Sequence, residues 1–261
     1  MKYLSNFKES LITACLLLAV TNPVSAIPTL QLNIIDGEYD SVTETTVTRT
    51  PQFTLQAYLT PGGNASEAEI LALLADTYYI SMALVPQDLL ADDYGSFTVN
   101  GDTVNVTGDM VYGSAPLDSV DPDLLGLDPG DLAAHGIFET WFAEVDFQFS
   151  SSYTGTTFNV QDNAGDTPIT PGDGSMYIAD FDFDVSGLEM GLIEGLHFDL
   201  YSSALAACKN KNCVAGDVDV NDFAPFSHDA SYVPEPASLL LMGLGLLGLG
   251  VAGRRRAKLE S

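Results

Sequence analysis

Between Asp180 and Val185 the chain reads Asp-Phe-Asp-Phe-Asp-Val, a strict alternation that suits extended backbone, where successive side chains point to opposite faces. Similar alternating or β-branched stretches run Leu30 to Ile35, Thr45 to Thr48, Phe53 to Leu59, Tyr78 to Val85, Phe97 to Val99 and Thr103 to Val106. They continue at Ile137 to Phe149, Thr156 to Val160, Met176 to Val185 and Leu192 to Tyr201, and all ten read as strands. Asn100-Gly101, between two of them, is a hairpin signal, so at least one sheet is antiparallel.

Helix is scarce. Ser66 to Thr77 opens with a capping residue followed by Glu69 and carries Ile70, Leu71, Leu73 and Leu74 as an apolar face, which predicts one short helix. Pro129 to His135 is a second candidate of a turn or two. Many short strands without a βαβ rhythm predict a mainly all-β fold. The architecture expected is an antiparallel β-sandwich, a jelly-roll arrangement being one variant, with one or two short helices and a C-terminal transmembrane helix.

That last helix is the 17-residue apolar run Ala237 to Gly253. As a helix it covers roughly 25 Å, slightly less than a hydrocarbon core of about 30 Å. Pro234 and Pro236 stop it from extending backward. Arg254, Arg255 and Arg256 follow it and hold the tail on the cytoplasmic side, with the body outside. At the other end Lys2 and Lys8 precede the apolar stretch Leu11 to Val20, and Val24-Ser25-Ala26 supplies small residues for a signal peptidase. The chain therefore divides into a signal peptide (1–26), a body (27–232) and a terminal sorting region (233–261) whose transmembrane helix covers 237–253.

Val233, Pro234, Glu235 and Pro236, the Gly/Leu-rich run behind them and the basic triplet resemble the PEP-CTERM sorting signal of bacterial exosortase substrates. The resemblance implies recognition by an exosortase-type membrane transpeptidase, removal of the helix, and transfer of the body to the cell surface or extracellular matrix. Three further segments, Pro28 to Leu32, Phe53 to Leu59 and Phe223 to Ala230, resemble exported choice-of-anchor families, which implies a surface protein with no assigned catalysis. In that last segment Phe223 and Phe226 are expected to pin the chain to the sandwich, with His228 and Asp229 a polar pair at its edge. The stretch Cys208 to Tyr232, rich in Asp, Asn and Ser, reads as a capping loop or a linker.

The body holds three basic side chains, Arg49, Lys209 and Lys211, against 33 acids, a net charge of about −30. Such a field repels phosphates and anionic headgroups, excluding nucleic acid as a partner through basic patches. It favours cations and also keeps an exported protein soluble. The aromatic content separates this acidity from that of a disordered chain. Cys208 and Cys213 are expected to close a small disulfide loop in the oxidising exported compartment.

Candidate ligand sets are acidic. Asp180, Asp182 and Asp184 fall on one strand face, either as a solvated face or as a site for Ca2+ that relieves their repulsion. Asp217, Asp219, Asn221 and Asp222 resemble the start of a calcium loop but lack the Gly and the closing Glu of an EF-hand, leaving non-EF Ca2+ binding as one reading. His135, His197 and His228 have no metal-ligand spacing, and no Gly-x-Ser-x-Gly elbow or phosphate loop occurs. The expected function is a non-enzymatic, structural or adhesive protein of the cell envelope or exopolysaccharide. The alternatives are a calcium-assisted carbohydrate-binding module contacting extracellular polysaccharide and a glycosidase, which needs only two carboxylates.

Overall fold

The computed structural model describes residues 30–85, 94–113, 115, 139–189, 192–202 and 229–234. Among the described residues thirteen strands form two sheets. Sheet A contains β1 (Leu30–Ile34), β4 (Gln52–Leu59), β11 (Met176–Asp184), β6 (Ser96–Val99) and β7 (Asp102–Asn105) in that order, with the short β10 (Thr154–Gly155) also pairing with β11. Sheet B runs β2 (Glu38–Asp40), β3 (Thr45–Thr48), β13 (Ala230–Tyr232), β12 (Gly195–Ser202), β5 (Tyr78–Val85), β9 (Thr140–Phe147) and β8 (Val111–Gly113). Neighbouring strands are antiparallel except β13 and β3, which run parallel.

Alternation decides which side chains meet between the sheets. Leu30, Leu32 and Ile34 of β1, Phe181 and Phe183 of β11, Ile80 and Met82 of β5, and Leu196, Phe198 and Leu200 of β12 share one core. Phe183 stands at its centre, stacked on Phe53 with ring centroids 5.3 Å apart and edge-on to Phe198 at 4.9 Å. Such aromatic contacts across two sheets add to the burial of apolar area. The mainly-β expectation holds, and two sheets around a common core make a sandwich.

The hairpin at Asn100-Gly101 forms as predicted, with φ of 51° and 88° at its two central residues. Both angles are left-handed, which is why Asn and Gly occupy them. Helix α1 (Glu67–Ala75) also forms, capped by Ser66, whose hydroxyl accepts from the Glu69 N–H while the Glu69 carboxylate accepts from the Ser66 N–H at 2.7 Å. Ile70, Leu73 and Leu74 pack against the core, but Leu71 is exposed, so the apolar face is narrower than the sequence suggests. One-turn helices α2 (Val106–Asp109) and α3 (Val160–Asn163) were not predicted, nor were the short strands β2, β8 and β13.

Two expectations are corrected. Thr156 to Val160 is not a strand but part of a segment laid over the outer face of sheet A, where Tyr58, Val160, Met176 and Ile178 make a second small core. The backbone groups that a ladder would use are taken by a side chain: Gln31 donates to the Phe158 carbonyl at 2.9 Å and accepts from the Val160 N–H at 2.9 Å. Asn33 likewise donates to the Asp166 carbonyl and accepts from the Gly165 N–H. At Gly165 (φ +82°) a Cβ would stand 2.0 Å from the Gly37 carbonyl oxygen, so only glycine allows this approach.

The second correction concerns the end of the body. Residues 230–232 are neither loop nor linker but strand β13, buried between β3 and β12. The candidate helix Pro129 to His135, the signal peptide and the apolar run 237–253 lie outside the described residues. Among the described residues no helix is long and apolar enough to cross a membrane.

Candidate functional site

Strand β13 ends at Tyr232, and the next residue, Val233, still donates its N–H to the Thr48 carbonyl at 2.9 Å. The first residue of the Val-Pro-Glu-Pro motif is thus hydrogen-bonded to β3. Pro234 then has no N–H to continue a ladder, which ends the pairing where the motif proper begins. Ala230 and Tyr232 face the core and Ser231 faces outward.

On that outer face of sheet B the register assembles polar rows. Asp199 of β12 pairs with Ser81 of β5, Ser81 pairs with Glu144 of β9, and Phe198 opposite Ala230 brings Asp229 beside Asp199. The next row joins His197 to Ser231. These groups are buried despite facing away from the core: His197 is 7% exposed, Asp199 0% and Asp229 1%. The His197 Nδ1 lies 2.8 Å from the Ser231 hydroxyl, its Nε2 lies 3.5 Å from Asp199 Oδ1, and the Ser81 hydroxyl donates to Asp199 Oδ2 at 3.3 Å. One ligand atom from each of His197, Asp199 and Asp229 falls within 4.8 Å of the others.

Electrostatics follow from this packing. Burial pushes the Asp229 carboxyl well above the usual carboxylate range, and the negative charge of Asp199 pushes it in the same direction. Along the strand the Tyr201 hydroxyl donates to Glu144, and burial together with the Glu144 charge holds that phenol protonated far above its ordinary range.

Asp180, Asp182 and Asp184 lie on the outer face of sheet A as expected, while Phe181 and Phe183 enter the core. Each carboxylate meets neutral donors, from the paired strand β4 and from neighbouring residues. Gln56 and Tyr153 donate to Asp180, Thr54 to Asp182, and Gln52 and Ser186 to Asp184. Hydrogen bonds from the Ser186 hydroxyl and N–H hold the Asp184 carboxyl below the usual range. Thus the aspartates form a ladder of separate pairs. Asp217, Asp219, Asn221, Asp222, Cys208, Cys213, His228, Phe223, Phe226, Glu235, Pro236 and Arg254 to Arg256 lie outside the described residues. Asp229, expected at an edge, is instead deeply buried.

The buried cluster was not legible as a motif. His197-Phe198-Asp199 does show His-x-Asp spacing, which on a strand puts both side chains on one face. The third member comes 30 residues later, and only the β12–β13 pairing brings it there.

The terminal segment fits an address for export and sorting. Residues 233–256 match the PEP-CTERM protein-sorting motif, which marks an exported protein sorted by an exosortase. No curated protein matches the chain. Among solved structures the chain is distantly similar to AvmM, which catalyses macrocyclization in alchivemycin A biosynthesis, with TM-score 0.31 and 12% identity over 80% of this chain and 90% of that one. It is also similar to the C-terminal domain of the antigen I/II-family protein AspA of Streptococcus pyogenes, with TM-score 0.27 and 12% identity over 80% of this chain and 53% of that chain. The chain thus spans about half the length of the latter.

Proposed function

We propose that this protein is a non-enzymatic, structural or adhesive component of the cell envelope or exopolysaccharide, exported behind a signal peptide and anchored by its terminal helix until an exosortase-type transpeptidase removes it. The observation that carries this reading is the sorting-motif match at residues 233–256. Two physical features support it. The acidic, aromatic-rich body suits a soluble extracellular domain. Strand β13 leads directly into the motif, so a cut in or beyond Val-Pro-Glu-Pro leaves the sheet pairings of the body intact.

Replacing Pro234, Glu235 and Pro236 with alanine is expected to leave the chain full length and retained in the inner membrane. Mass spectrometry of the native C-terminus and cell fractionation provide the readout. Unchanged processing and surface delivery of that variant would refute the sorting claim.

A further inference from the structure

We propose that His197, Asp199 and Asp229 bind one divalent first-row transition ion of the zinc class, on the outer face of sheet B, joining β12 to the strand that precedes the sorting motif. This site is independent of the sorting reading.

The donor set is one imidazole nitrogen and two carboxylate oxygens, all buried and mutually within 4.8 Å. Bonds of about 2.1 Å around a tetrahedral ion set its ligands about 3.4 Å apart, so the cluster closes on such an ion by side-chain shifts of about 1 Å. A Ca2+ ion needs six to eight oxygens at longer distances, and imidazole is a poor ligand for it.

A further observation points to a cation. Asp199 Oδ1 is fully buried, accepts no hydrogen bond, and faces His197 Nε2 at 3.5 Å without hydrogen-bond geometry. In the tautomer whose Nδ1–H donates to the Ser231 hydroxyl, 2.8 Å away, Nε2 carries the lone pair on the side of that carboxylate oxygen. This is the arrangement in which an outer hydrogen bond fixes the tautomer of a metal-binding histidine. Facing lone pairs repel, and a metal ion between them turns repulsion into coordination.

The test uses the full-length protein in detergent, stripped with a chelator and dialysed. Zn2+ binding is measured by competition with a chromophoric chelator and by elemental analysis, and Co2+ serves as an absorption probe. One ion per chain is expected, retained in millimolar Ca2+, with the melting temperature raised by about 5 °C or more at saturating Zn2+. Asp199→Asn is expected to weaken binding by at least about 100-fold, and Ser231→Ala, which leaves all three ligands in place, by about 10- to 100-fold. The proposal is overturned if the wild-type chain binds no stoichiometric ion, or if Ca2+ stabilises it and Zn2+ does not. It is also overturned if bound Co2+ gives a thiolate charge-transfer band, which assigns the ion to cysteine. Should Asp199→Asn fail to fold, Ser231→Ala and the wild-type Co2+ spectrum decide the matter: wild-type affinity in Ser231→Ala overturns it.

Discussion

Gln31 tests how the outer layer of sheet A is held. Its amide serves two backbone groups more than 120 residues away, the half-buried Phe158 carbonyl and the fully buried Val160 N–H. Gln31→Met keeps the length and burial of the side chain and removes both bonds. Leaving the Val160 N–H unsatisfied costs about 1–3 kcal/mol, and losing the bond to the partly hydrated carbonyl about 0.5–1.5 kcal/mol. The expected destabilisation is therefore about 2–4 kcal/mol, a drop in melting temperature on the order of 8 °C for a body of this size. Thermal unfolding of the intact protein followed by circular dichroism measures it, and amide hydrogen exchange locates it, since Val160 should lose protection before the central strands. A change under about 0.5 kcal/mol with Val160 still protected would mean that the 153–166 segment is held by its apolar contacts, and the amide-staple explanation fails.

Phe183→Ala removes the ring that touches Phe53, Phe97 and Phe198 and should destabilise by about 3–5 kcal/mol on denaturation; a loss below about 1 kcal/mol would contradict its central place in the core. At alkaline pH the buried phenols give a signed prediction. Burial raises the hydroxyls of Tyr58, Tyr78 and Tyr201 above the ordinary value of 10.0. Unfolded tyrosines release protons near 10 while the folded ones retain them, so stability is intact below pH 10 and falls as pH rises beyond it. Absorbance titration at 295 nm should show part of the tyrosinate signal delayed until near-UV circular dichroism is lost. If all eleven tyrosines ionise together near pH 10 with the fold intact, these hydroxyls are not buried as described.

What was legible in the sequence is what local physics controls. The Asn100-Gly101 turn, the Ser66–Glu69 capping box and the alternation of Asp180 to Val185 each act over a few residues, and each appears where it was read. The sorting motif was legible for a related reason: a linear signal carries its information in order and spacing, without needing a fold. The segment Thr156 to Val160 misled because its β-branched composition cannot report that Gln31 occupies its backbone groups from another strand. Similarly, the short strands β2, β8 and β13 lack the length for a periodic signal, and exist because partners in sheet B accept their hydrogen bonds.

A β-rich, strongly acidic body and the sorting address behind it follow from side-chain period, charge and motif order, which are properties of the linear chain. That residues 230–232 complete sheet B, and that Asp229 joins His197 and Asp199 in a buried cluster, is visible only in the folded chain. Strand pairing links residues by register and not by distance along the chain, so groups 30 residues apart become neighbours once β12 and β13 share hydrogen bonds.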